Sequence, residues 1–388
     1  MSASTTQATS DVVSQILGID ESSPIVALRN DRPQQITELQ EYYDSLFQPE
    51  PASEEAFSLA NRALVAIRVA AHTNSAQVVA WYEGIAREAG ASDADIAAAK
   101  DIATPNTADS VLGAAIRRAD LITTHLVDAE QSDIQALKDA GLTPAGILSL
   151  SQVIAFVAYQ LRFIAGLRAF VTEGDAPTAI PAPPADGSVR PALGSDKRPE
   201  FTLDFLAWTP WIEKATDTDL TFEQRARVTA VVSDHPNSTY QAVLANDFPA
   251  LQARAKVHHH IFTSEDPEPT AWRELGASTT SRINGCVFCA AVHTRIYAQK
   301  SGRRDVAETF LRDNIDADLP EKERAVVDLA TKVTLSPESL TQADFTTLRD
   351  LGFDDLGILD IINYSGFFAN ANRLMLTLGE PVPAPARA

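Results

Sequence analysis

Apolar residues recur at three- and four-residue spacing along most of this chain and almost nowhere at alternate positions. That period marks amphipathic helices packed on a common core. Ala56–Ala71 is rich in Ala, Leu, Val and Ile at this spacing, and a second helix is predicted from Ser75 to Glu88, stopping at Gly90. Asp133–Ala140 ends at Gly141, after which Thr143 caps a long apolar helix that has Pro144 at its first position and reaches about Phe170. Helical patterning resumes at Phe201 and continues to Leu378. Within it, Asp318, Pro320 and Glu321 open one helix, Thr341 with Asp344 opens another that ends at Gly352, and Asp354 begins a long one that stops at Gly379. No convincing strand is visible, so the predicted class is all-α.

The pattern breaks once, between Glu173 and Pro199, where EGDAPTAIPAPPADGSVRPALGSDKRP is too dense in proline for a helix. Residues 173–200 are read as a linker between a domain at 11–172 and a domain at 201–388, with residues 1–10 small, polar and disordered. Sequence similarity links the two halves. LRNDRP at Leu28–Pro33 recurs as LANDFP at Leu244–Pro249, and LKDAGLTPAGIL at Leu137–Leu148 recurs as LRDLGFDDLGIL at Leu348–Leu359. The spacing between partners is nearly the same for both pairs, which predicts two tandem copies of one helical domain. Matching Gly302 to Gly90 sets Cys286 against Asn74, Cys289 against Gln77, His293 against Trp81 and Glu274 against Arg62. The first copy then lacks every reactive side chain of the second and is expected to be catalytically silent.

Length and charge narrow the picture. At 388 residues two domains are the natural prior. A formal net charge of -20 argues against a nucleic-acid partner, whose phosphates need clustered Lys and Arg. Neither a signal peptide nor a run of about 18 apolar residues is apparent, so no membrane partner is expected. The chain's 2 cysteines, Cys286 and Cys289, form one C-x-x-C, which points to redox or metal chemistry in a reducing, cytoplasmic setting.

The chemistry concentrates in ELGASTTSRINGCVFCAAVHTRIYAQKSG, Glu274–Gly302. Asn284-Gly285 is a turn signal with Asn284 as the expected N-cap, which would put Cys286 in the first turn of a helix running to about Lys300. At about 100° per residue, Cys286, Cys289 and His293 share one helix face. Free N–H groups and the partial positive charge of a helix start favour thiolate, and His293 adds to that effect. A thiolate can attack a peroxide oxygen, leaving a sulfenic acid that the neighbouring thiol converts to a disulfide. If Glu274 reaches His293, the two make a proton relay. The alternatives are two cysteines used only for packing, a zinc site built with His293 and one of His258, His259 or His260, and a merely solvated Glu274.

E-x11-C-x-x-C-x3-H in this setting resembles the core motif of the alkylhydroperoxidase D-like branch of the carboxymuconolactone decarboxylase family. The later stretch LPEKERAVVDLATKVTLSPESLTQADFTTLRDLGFDDLGILDIINYSGFFANANRLMLTLG resembles the C-terminal half of peroxidase-related members. The resemblance implies an all-α fold, here as two tandem copies, and a homo-oligomer, either a trimer or a dimer of two-domain chains. It implies reduction of hydrogen peroxide or organic hydroperoxides with a dithiol reductant of the lipoyl or thioredoxin type, and neither cofactor nor metal. By position, Cys289 would be the attacking cysteine, Cys286 the resolving one, and Glu274 and His293 the proton relay. Phe288 departs from members that carry a histidine just before the second cysteine. The competing expectations are a lyase or isomerase acting on a small lactone or acid through Glu274 and His293, and a non-enzymatic redox sensor.

Overall fold

The computed structural model describes residues 10–173, 200–215, 221, 224–226, 238–262 and 267–384. The expected disordered start and the proline-rich linker lie outside these residues apart from Ser10, Glu173 and Glu200 at their edges. Among the described residues the fold is all-α, with one short antiparallel strand pair.

The helices of the first half are α1 (Val12–Leu17), α2 (Pro24–Asn30), α3 (Pro33–Phe47), α4 (Pro51–Ala56), α5 (Leu59–His72), α6 (Ala76–Glu88), α7 (Asp93–Lys100), α8 (Val111–Thr124), α9 (Gln131–Asp139) and α10 (Pro144–Ala169). After the strand β1 (Leu206–Pro210) come α11 (Ser238–Leu244), α12 (Phe248–Phe262), α13 (Pro267–Ile283), α14 (Val287–Ser301), α15 (Arg304–Asp313), α16 (Glu321–Leu335), α17 (Thr346–Asp350) and α18 (Asp355–Thr377), then β2 (Gly379–Pro383). Local chemistry sets the boundaries. Thr143 Oγ1 accepts the Gly146 N–H at the start of α10, and Asp354 Oδ1 accepts the Gly357 N–H at the start of α18. The Thr341–Asp344 capping box is present, and it opens a 3-10 turn (Gln342–Phe345) that leads into α17.

Two expectations change. Helical patterning from Phe201 breaks at β1, which pairs with β2 from Leu206↔Pro383 to Pro210↔Gly379. Trp208 in β1 also donates its indole N–H to the Met375 carbonyl of α18, so the strand's partners lie far away in sequence and leave no local period. Helix α10, in turn, is long and apolar enough by composition to cross a bilayer, yet its most apolar 18-residue stretch is wholly buried. Apolarity on every side is what a helix at the centre of a core requires.

The described residues divide into two compact units, and neither unit is one half of the chain. One takes residues from Met1–Gln40, Ala158–Asp204 and Lys256–Asn372; the other from Glu41–Val157, Phe205–Ala255 and Arg373–Ala388. The second unit centres on aromatic packing among Tyr42, Tyr43, Phe47, Tyr82 and Phe156. The first is built on α13, α14, α16 and α18, with Leu275, Tyr297, Phe310, Val326, Val333, Phe345 and Ile362 in its core.

First-half residues are integral to that first unit. Gln35 Oε1 accepts from Asn363 Nδ2 at 3.1 Å, and Arg32 pairs with Asp360 at 3.0 Å. The Tyr159 hydroxyl donates to Asn363 Oδ1 at 2.5 Å, and Arg162 donates to the Thr334 carbonyl, in the C-terminal turn of α16, at 2.8 Å. Burial lowers the Arg162 guanidinium to about 10. A fragment spanning 201–388 would lack all four partners. It is therefore expected to lose the cooperative urea transition of the full chain and much of its ellipticity per residue; a cooperative transition at the full-chain midpoint would contradict this division of the fold.

Candidate functional site

The site grows from the α13–α14 hairpin. Helix α13 carries the run Ser278-Thr279-Thr280-Ser281, four hydroxyl residues with no exposed surface. Burial of these groups is tolerated because three hydroxyls donate back to the carbonyls of Glu274, Leu275 and Ala277, while Thr280 meets Thr334 Oγ1 at 2.9 Å. At Gly276 a Cβ would lie 2.9 Å from Ser365 Oγ, so its absence lets α18 approach within two residues of Glu274.

The turn that follows differs from expectation. Gly285 takes a left-handed φ of +73°, and Cys286, not Asn284, is the N-cap of α14, with φ -82° and ψ 86°. Asn284 remains tied to α13, its N–H donating to the Thr280 carbonyl. The reason is the positive φ: glycine adopts it readily, so the chain reverses at Gly285 and the helix begins just after the first cysteine. Cys289 then lies in the first turn of α14 and His293 one turn further, on the same side.

Glu274 and His293 come together. His293 Nδ1 lies 2.6 Å from Glu274 Oε2, with side-chain exposures of 11% and 2%. A carboxylate removed from water this completely is costly unless paired and hydrogen-bonded, and the imidazole supplies the partner. Phe368 from α18 packs edge-on against the His293 ring at 4.3 Å between centroids, fixing its plane. One turn earlier on α18, Tyr364 donates its hydroxyl to the Ile261 carbonyl and stacks beneath the Arg273 guanidinium at 5.2 Å. Burial raises the Tyr364 phenol well above its ordinary value; Arg273 opposes the rise, while Glu274 and Asp360 add to it.

Neither cysteine is in a disulfide, and both are buried, Cys286 1% and Cys289 5% exposed. One turn beyond His293, Tyr297 donates to the buried Glu323, which Arg303 also pairs at 2.6 Å. Burial raises the Tyr297 phenol, and the Glu323 charge raises it further. A cavity of about 540 Å³ opens at that end of the hairpin, lined by Trp272, Lys300, Arg303 and Lys322 among others but by neither cysteine. The histidine triplet lies elsewhere: His260 pairs with Glu38 at 2.5 Å and His258 packs on Phe367. Among the described residues no group of three or more His, Cys, Asp or Glu side chains is arranged to hold a metal, so the cysteines, His293 and the triplet do not form the zinc alternative.

A turn of the same conformation joins α5 to α6. Asn74 has φ +57°, and Ser75 is the N-cap with φ -90° and ψ 88°. In both turns the N-cap N–H donates to the carbonyl five residues back, Ser75 to Ala70 and Cys286 to Ser281. Arg62 donates to the Leu46 carbonyl of α3, as Arg273 does to the Ile261 carbonyl of α12. Matched by conformation, Cys286 therefore falls on Ser75, Cys289 on Val78, His293 on Tyr82 and Glu274 on Ala63, one residue away from the register set by the glycines. The cause is length: the stretch from Cys286 to Gly302 is one residue longer than the stretch from Ser75 to Gly90.

Phe368, Tyr364 and Asn372 were not singled out by pattern, although polar Asn363, Asn370 and Asn372 inside an apolar helix are a signal of buried contacts. No family model matches the chain, and no curated protein matches it.

The Glu274–His293 pair has a direct test. In a double-mutant cycle of Glu274→Gln and His293→Gln, followed by urea unfolding, the single changes should cost about 2–3 kcal/mol each, and the double change at least about 1 kcal/mol less than their sum. Simple additivity would mean that the two side chains do not interact.

Proposed function

We propose that this chain is a thiol-dependent peroxidase that reduces hydrogen peroxide or organic hydroperoxides through a Cys286–Cys289 dithiol cycle. The observation carrying this reading is the buried Glu274–His293 pair, whose His293 lies one turn beyond Cys289 on α14. A carboxylate on Nδ1 fixes the tautomer and leaves Nε2 as the nitrogen able to exchange a proton.

In the first step His293 Nε2 takes the Cys289 thiol proton, and the resulting thiolate attacks the terminal, proton-bearing peroxide oxygen. The O–O bond breaks, Cys289 becomes a sulfenic acid, and the departing alkoxide or hydroxide takes a proton from His293. In the second, the Cys286 sulfur attacks the sulfenic sulfur, releasing water and closing the disulfide. An external dithiol then reduces that disulfide and is itself oxidised. Cys286 at the N-cap and Cys289 in the first turn are three residues apart, a spacing compatible with a C-x-x-C disulfide.

The chain is further read as two tandem copies of one helical domain, with its active centre in the second. The order of elements supports it: α5 to α10 recur as α13 to α18, in the same sequence and at nearly constant spacing along the chain.

Cys289→Ser should abolish peroxide consumption with a dithiol reductant. Cys286→Ser should still consume about one equivalent and leave a sulfenic acid on Cys289 that dimedone traps. Unchanged turnover in either variant would sink the peroxidase reading; activity on a small lactone surviving loss of both cysteines would favour the lyase alternative.

A further inference from the structure

Asn372, on α18, has no exposed surface and lies 88 residues from the turn that it touches. Its Oδ1 accepts from Asn284 Nδ2 at 3.0 Å, and its Nδ2 donates to Ser281 Oγ at 3.1 Å. Both partners lie just before the reversal at Gly285. Ser281 also supplies the carbonyl that accepts the Cys286 N–H at 2.9 Å, and its hydroxyl donates to Ala277. One amide thus ties the last turn of α13 to the residue before the left-handed Gly285, so the backbone leading to Cys286 is held at Ser281 and at Asn284.

The fold alone does not demand this clamp. The turn at Asn74–Ser75 has the same backbone form, and the register that sets Cys286 on Ser75 sets Ser281, Asn284 and Asn372 on Ala70, Thr73 and Leu161. A buried polar triad is harder to satisfy than the alanine and leucine found at those positions, because every member must find its partners. It occurs where the turn carries a thiol.

We propose that Asn372 is a positioning residue for the dithiol, holding the 284–286 turn so that the Cys286 sulfur faces Cys289. The kinetic consequence rests on the peroxidase reading; the equilibrium consequence does not. A pre-set turn removes part of the ordering entropy that disulfide closure would otherwise cost, and so raises the effective concentration of one sulfur at the other. Because Asn372 acts through the turn and not on a sulfur, its loss should leave the attack of Cys289 on peroxide largely intact and slow the resolving step.

The test uses the full chain with Asn372→Ala, and with Asn284→Ala as a gentler variant at a half-buried position should Asn372→Ala fail to fold. Disulfide content is measured against reduced and oxidised dithiothreitol by alkylation and mass spectrometry. The equilibrium constant for closing Cys286–Cys289 should fall about tenfold in Asn372→Ala, close to about 30 mV for a two-electron couple. Asn284→Ala should show a smaller loss, and the double variant should be no worse than Asn372→Ala, since both act through one contact. With one equivalent of hydrogen peroxide, dimedone-trapped sulfenic acid on Cys289 should accumulate in the variants and not in the wild type.

A purely structural role would lower the melting temperature and leave the disulfide equilibrium within about twofold of wild type, which would overturn the proposal. Wild-type chain that closes the disulfide in dithiothreitol but consumes no peroxide would defeat the peroxidase reading and leave the clamp standing. Peroxidase activity with an unmoved equilibrium in folded variants would do the reverse.

Discussion

A carboxylate buried as deeply as Glu274 must be compensated where it stands, and most of the site's geometry follows from how this is done. The compensating group is 19 residues away, across a helix reversal, so the pair exists only if α13, the turn and α14 have matched lengths. Gly285 provides the reversal, and the hydroxyl run of α13 lets the helices around it close up without leaving polar atoms orphaned. Phe368 then limits the imidazole to one plane. Position and orientation of the candidate acid–base group are therefore consequences of satisfying one buried charge. The order of causes runs from burial to pairing to register, and only then to chemistry.

The first half, which carries neither cysteine, is not a bystander. Arg32, Gln35, Tyr159 and Arg162 belong to the compact unit that holds the cysteines and donate to or accept from Asp360, Asn363 and Thr334 there. A linker rich in proline suggests two self-contained bodies, yet the units each draw on three separate segments. Composition marks where a chain changes character; it does not say which helices share a core.

That distinction also separates what was legible in the sequence from what was not. Helices ended by Gly90, Gly141 and Gly352, and starts capped by Thr143 or boxed by Thr341 and Asp344, depend on neighbours within a few residues, so a local reading reaches them. The C-x-x-C, His293 and Glu274 stood out through their residue types and spacing. What escaped was non-local. The β1–β2 pair joins Leu206–Pro210 to Gly379–Pro383, at opposite ends of the second half. Asn372 acts on a turn 88 residues upstream, and Phe368 on a ring carried by a different helix. The N-cap was misplaced by two positions because Asn284 is a good capping residue in isolation, while Gly285 readily accepts the left-handed conformation that the reversal needs.

The turn at Ser75 separates what the fold needs from what the chemistry needs. It repeats the backbone of the cysteine turn with an oxygen where Cys286 has sulfur, so the thiol adds nothing to making the turn. Placing cysteines there would still not recreate the site. Tyr82, at the place of His293, is fully buried and packs against Phe47 at 4.8 Å, within an aromatic cluster. Ala63, at the place of Glu274, offers no carboxylate. Without that buried charge nothing selects a histidine over a tyrosine on the facing helix, and aromatic packing is the more favourable use of the position. The buried carboxylate is thus what distinguishes the surroundings of the cysteine turn from those of the Ser75 turn.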